Sequence, residues 1–201
     1  MADDKIYEIR ESSIADPGPL GLAAFALTTF VLSMANAGFI PATVKGVFLP
    51  LALFYGGGAQ VLAGMWEYKK NNVFGATAFT TYGSFWIALG TLVLFEALKI
   101  LDFKDQGNIA VGIFLVAFTI FTFYMWIGSF RLNNALIVVF TTLLITFILL
   151  DLAEFKFISA KIGGTMGIIC AFSAWYTSAA GILNTVYKRV VLPIGPKSSS
   201  H

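Results

Sequence analysis

Residues 109–130 read IAVGIFLVAFTIFTFYMWIGSF, an unbroken apolar run without a single charge. At 1.5 Å per residue such a run is about 33 Å long as a helix, enough to cross a hydrocarbon layer of about 30 Å. Arg131, Asn133 and Asn134 interrupt it, and ALIVVFTTLLITFILL follows at 135–150. Working outward, four more runs have the same character: 20–40, 46–66, 73–98 and 163–187. Pro17 and Pro19 precede the first and Pro41 is expected to end it. Glu67, Lys69 and Lys70 close the second, and Lys188, Arg189 and Pro193 close the last. The runs are continuous rather than alternating, and hydrocarbon satisfies backbone polar groups only in helices or closed barrels. The spacing therefore predicts an all-α, polytopic membrane protein with six transmembrane helices.

Composition agrees. Of 201 residues, 58% are hydrophobic and only 12% charged, about half the charge usual in soluble domains. A disordered chain, a disulfide-built secreted domain and a nucleic-acid binder with a basic face are excluded on these grounds. The single cysteine, Cys170, lies inside an apolar run and reads as a small packing residue. The single histidine is the last residue, His201, in a stretch read as a tag remnant. Such a sequence is expected to hold no metal site, no cofactor and no catalytic nucleophile–histidine pair, so the chain is not read as an enzyme.

The expected organisation is a polar N-terminal tail at 1–16, a transport domain at 17–192 and a C-terminal tail at 193–201, partly derived from cloning. An even number of spans puts both termini on one side. That side carries Lys5, Arg10, Lys69, Lys70, Arg131, Lys188, Arg189 and Lys197; the other carries Lys45, Lys99, Lys104, Lys156 and Lys161. The positive-inside bias then places both termini in the cytoplasm.

Polar residues within spans are costly and so informative. Phe25, Thr29, Ser33 and Asn36 share one helical face; so do Gly56, Gln60, Gly64 and Glu67. Thr77, Thr81 (or Thr80) and Ser84 form a third series, and Ser173, Thr177 and Asn184 a fourth. One-sided polar faces on several spans are expected to line a narrow wet path. Hydroxyls and amides without a mid-depth Lys or Arg suit a small carboxylate with a short apolar tail, and ammonia or a neutral small acid nearly as well. The candidate substrate contacts are Thr29, Gln60, Thr81, Asn36 and Ser84. Glu67 either points inward as a proton or anion filter or pairs with Lys70 or Lys69 at the surface. A competing view makes these faces helix glue in a tetraspan-like scaffold.

The blocks in order carry a resemblance. Asp16-Pro17-Gly18-Pro19-Leu20-Gly21-Leu22, with Phe25 and Thr28–Thr29, resembles the Asn-Pro-Ala-Pro-Leu-Gly-Leu signature of the acetate uptake transporter family, the succinate–acetate permeases. Phe54 to Gln60, Glu67 to Lys70, and Phe74-Gly75 through Thr81 to Trp86 are similar to further motifs of that family. Asp16 and Gly18 depart from the family's usual Asn and Ala. The resemblance implies a homohexamer in the plasma membrane, surrounded by lipid. It also implies a pathway in each protomer for acetate and related short carboxylates such as succinate, by anion channel or proton symport. By the same resemblance the path narrows at Phe25, Tyr82 and Leu143. Some fungal relatives are ascribed ammonia or ammonium export, the main alternative.

Overall fold

The computed structural model describes residues 14–195, so expectations for the extreme tails, including that of a tag remnant at the C-terminal end, lie outside the described residues. Six helices are long and apolar enough to cross a membrane. They are α1 (Gly18–Ala37), α2 (Ala42–Lys69), α3 (Val73–Ala97), α4 (Gly107–Ser129), α5 (Asn134–Glu154) and α6 (Ala160–Tyr187). A short 3-10 turn, Lys104–Gln106, leads into α4.

The ends are set by local chemistry. The Asn72 side chain accepts the Gly75 N–H at the start of α3, and Asn133 accepts the Leu136 N–H at the start of α5. Helix α1 stops earlier than Pro41 would require. Gly38 takes the left-handed conformation (φ 80°), its N–H reaches the Ala35 carbonyl, and Phe39 N–H reaches Met34. Helix α2 is irregular: a 3-10 opening over Ala42–Val47 gives way to a π-helical stretch over Leu51–Ala59, then regular α-helix from Gln60. Pro50 withholds one N–H just before the widened turns, and Gly56–Gly58 lie within them.

Small residues let the helices approach closely. The most extensive contact is between α1 and α6. A Cβ on Gly164 would meet the α1 backbone at Ala37 and stand 2.7 Å from the Asn36 carbonyl carbon. One turn on, Gly167 sits over Ser33. Gly56 faces Thr28 of α1, Gly64 faces Thr80 of α3, and Gly83 of α3 faces Val61 and the Gly57 carbonyl. Cys170 is fully buried between α5 and α6, its thiol 3.8 Å from the Val139 carbonyl. Away from these seams, α4 turns Ile113, Ile120, Phe123 and Ile127 outward, as a face meeting acyl chains or a neighbouring subunit would.

Because the Gly164 contact is with backbone, no side chain can swing aside to admit extra atoms. Gly164→Ala is expected to cost about 1–3 kcal/mol through overpacking. Gly46→Ala, where nothing lies within 4 Å, should change stability by no more than about 0.5 kcal/mol. Parallel denaturant unfolding in detergent checks this, and equal stabilities for the two variants would contradict it.

Candidate functional site

A cavity of about 470 Å³ opens among α1, α2, α3, α5 and α6. Its mouth is polar and assembled from helix ends. Asp16, Asn72 and Asn133 stand at the starts of α1, α3 and α5, and Asn184 and Thr185 at the end of α6. The Asp16 carboxylate accepts the Gly18 N–H (3.2 Å) and pairs with Lys70 (2.9 Å). Asp16 is 54% exposed, so the mouth reaches the surface there. Three helix N-termini at one opening direct partial positive charge toward it. No lysine or arginine is among its lining residues.

The inner end is apolar: Phe25, Ala78, Tyr82, Val139, Phe140 and Leu143. Phe25 lies seven residues into α1 (25 − 18), and Tyr82 and Leu143 each nine residues into α3 and α5 (82 − 73; 143 − 134). At 1.5 Å per residue these depths are about 10 to 14 Å, so the three side chains meet at a common level. The Phe25 and Tyr82 rings are 5.9 Å apart, and Phe121 and Phe140 pack on Tyr82 at 5.2 and 6.3 Å. The Tyr82 hydroxyl turns out of the cavity to Thr122 of α4, at 2.9 Å in a buried hydrogen bond. Tyr82 therefore contributes a ring face to the floor and not a free hydroxyl.

Two polar groups stand against these walls. Gln60, 1% exposed, lines the cavity, and its Oε1 has no hydrogen-bond partner. Glu67, also 1% exposed, points inward. The surface pair with Lys70 is not formed: Lys70 is bonded to Asp16, while Glu67 Oε2 accepts from Asn72 Nδ2 at 2.8 Å. Gly75 makes room for this pair, since a Cβ there would stand 2.6 Å from Asn72 Nδ2 and 2.8 Å from the Glu67 carboxyl carbon.

Of the residues singled out from sequence, the structure gathers Phe25, Gln60, Glu67, Tyr82 and Leu143 around one cavity. Thr29, Asn36, Thr81 and Ser84 are not among its lining residues. Thr29 is buried deeper in α1 with an unpartnered hydroxyl. Asn36 lies at the α1–α6 contact beside Gly164. Thr81 is half-buried on α3, and Ser84 faces outward with its hydroxyl on the Thr80 carbonyl at 2.8 Å. The shared-face expectation fails for these four because a helix meets different neighbours along its length: the face that borders the cavity at Phe25 borders α6 at Ser33. Asn184 lines the mouth, but its carboxamide is spent on the backbone of residues 191 and 192. Sequence reading passed over Asn72, which presents Glu67, and Ile194, which lines the mouth from beyond the last helix. Asn72 carried an N-cap signal that could have found it; Ile194 carried none.

A model of the GPR1/FUN34/yaaH family matches residues 3–196. The succinate-acetate/proton symporter SatP of Escherichia coli (strain K12) is 39% identical over 186 residues, 92% of this chain and 97% of the symporter. Ammonia transport outward protein 2 of Saccharomyces cerevisiae (strain ATCC 204508 / S288c) is 41% identical over 175 residues, 84% of this chain and 61% of that protein. The solved structure of the bacterial acetate channel SatP is similar with a TM-score of 0.85 and 38% identity, covering 90% of this chain and 99% of its own.

The Tyr82–Thr122 bond makes a separable prediction. Tyr82→Phe leaves the ring wall in place but strands a buried hydroxyl, so it should cost about 1–3 kcal/mol of stability. In a cycle with Thr122→Val, the double variant should be less destabilised than the two single losses added together. Strict additivity in detergent unfolding would show that the hydrogen bond does not couple them.

Proposed function

The chain belongs to the GPR1/FUN34/yaaH family, and on that premise we propose that it is an integral membrane transporter or channel, not an enzyme, for acetate and related short carboxylates, succinate among them. One observation carries the reading: an unpartnered amide oxygen, Gln60 Oε1, stands beside an apolar floor beneath a mouth built from three helix N-termini. The mouth favours an incoming anion. The floor suits a methyl tail, and the amide oxygen accepts the O–H of a protonated acid.

In this reading Phe25, Tyr82 and Leu143 form the constriction that strips water and selects by size. Gln60 is the first substrate contact; Thr29, with its free hydroxyl below Phe25, is a second, on the far side. Asn36, Thr81 and Ser84 have no such support from the cavity and drop out of the proposed contact set. Glu67 exchanges a proton with the passing acid or filters anions, held in place by Asn72. The likeness to a symporter by name supports proton coupling, as the likeness to a channel supports passive flow. The transport domain comprises 17–192 with the short segment that follows it. Both termini are cytoplasmic, on the strength of the cation asymmetry across the loops. The protein assembles as a homohexamer in the plasma membrane, lipid and sister subunits covering its apolar exterior.

Ammonia would also donate to Gln60 Oε1, and one relative is named for its export. Proteoliposome uptake separates the readings. Labelled acetate should enter, unlabelled acetate should compete and methylammonium should not; the reverse competition would establish the ammonia alternative. Phe25→Ala and Leu143→Ala should widen the passage and raise entry of bulkier acids relative to acetate by about tenfold or more. Glu67→Gln should weaken the response to an imposed pH gradient, and an unaltered response would remove Glu67 from the proton path.

A further inference from the structure

Beyond α6, residues 188–195 stay against the fold. Lys188 takes the left-handed conformation (φ 49°) and turns it back. Residues 191–195 then lie as a strap across the ends of α5 and α6. Asn184 Oδ1 accepts the N–H groups of Val191 (2.7 Å) and Leu192 (3.0 Å), and its Nδ2 donates to the Leu192 carbonyl (2.9 Å). The Tyr176 hydroxyl donates to the Pro193 carbonyl at 2.8 Å. Asn134 N–H and Ala135 N–H, donors with no partner inside their own helix, reach the carbonyls of Gly195 (2.9 Å) and Ile194 (3.1 Å). Gly195 sits at φ 62°, and a Cβ there would stand 2.5 Å from Asn134 Nδ2. Six hydrogen bonds thus fix residues 191–195, of which 193–195 fall in the expected C-terminal tail.

The strap stands between two spaces. Ile194 lines the 470 Å³ cavity and also a second one of about 340 Å³ between α5 and α6, whose other walls include Val138, Ser173 and Tyr176. Among the described residues, Thr177 is the only other one bordering both. We infer that Ile194, held by this strap, is a specificity-determining residue of the pathway: with Thr177 it walls the vestibule off from the more open groove between α5 and α6, and so limits which carboxylates reach the Phe25–Tyr82–Leu143 level.

This rests on the carboxylate reading and adds a selection step above the floor. The substrates it discriminates against are branched or aromatic monocarboxylates, which need width in the vestibule, while a two-carbon acid does not. Two substitutions of opposite sense test it in full-length protein in proteoliposomes, with labelled benzoate and acetate as probes. Ile194→Ala should join the two spaces and raise the benzoate-to-acetate uptake ratio by about tenfold, the low end of what a lost apolar contact gives in discrimination. Ile194→Phe should lower the ratio below that of the unsubstituted protein. A merely structural role would reduce both uptakes together and leave the ratio unmoved. Unmoved ratios in both variants, with acetate uptake by the unsubstituted protein intact, overturn the inference alone. Absence of acetate uptake by the unsubstituted protein overturns the carboxylate reading and this inference with it.

Discussion

Hydrocarbon offers no hydrogen bonds, so every polar group on the six spans must find a partner within the chain or face water. That constraint sorts the polar residues into two kinds. Threonines and serines such as Thr28, Thr142, Thr146 and Ser173 return their hydroxyls to carbonyls three or four residues back, and are satisfied without reference to any neighbour. Tyr82 and Thr122 satisfy one another across α3 and α4. What remains is the short set with nothing to hold, and Gln60 Oε1 and Thr29 Oγ1 belong to it. A buried carbonyl oxygen without a partner in the chain calls for an explanation. Gln60 also lines the cavity, which links the two observations.

The glycine seams decide where that amide lies. Gly64 and Gly83 bring α2 and α3 close enough for one helix's backbone to touch the other's side chains. The π-helical stretch ends at Gln60, so the widened turns determine the direction in which Gln60 leaves the helix. On the opposite wall, Gly164 and Gly167 pull α1 against α6 below the cavity. Above that contact α1 is free to border the cavity at Leu22 and Phe25. A helix anchored at one end by small residues and bordering a space at the other explains why a single sequence face can serve both purposes.

This is also why the sequence was legible in some respects and not in others. Six spans follow from run length and the cost of exposed backbone in lipid, and the structure has six. The inward Phe25 and Gln60 follow from helical spacing because each lies near the mouth half of its helix, where one face does border the cavity. The same spacing misplaces Asn36 and Ser84, since periodicity fixes an angle around a helix and says nothing of which neighbour stands at that angle further along. The choice between a surface pair and an inward pointing Glu67 turned on Asp16, fifty-four residues away in the chain from Lys70 (70 − 16). No local pattern reports that competition. Ile194 lay wholly beyond reach: its position depends on two side chains of α6, Tyr176 and Asn184, and on two backbone donors at the start of α5.

On the proposed reading, the chemistry of the walls also bears on what form of the solute crosses the floor. Among the described residues, no lysine or arginine lines the cavity beside Phe25, Phe140 and Leu143 to balance a carboxylate. An isolated ionised carboxylate in a medium of low dielectric costs tens of kcal/mol in the idealised limit. Protonating one of ordinary acidity, near pKa 4.3, costs about 4 kcal/mol at pH 7. The cheaper course is to take up a proton above the floor and cross as the neutral acid. That neutral acid carries an O–H, and Gln60 Oε1 is an acceptor without a donor. Glu67 lies on the same face of α2, seven residues nearer the mouth (67 − 60), about 10 Å along the helix. With the roles proposed for them, Glu67 above, Gln60 below and the apolar ring beneath both would form a sequence in which each group prepares the species that the next one can bind.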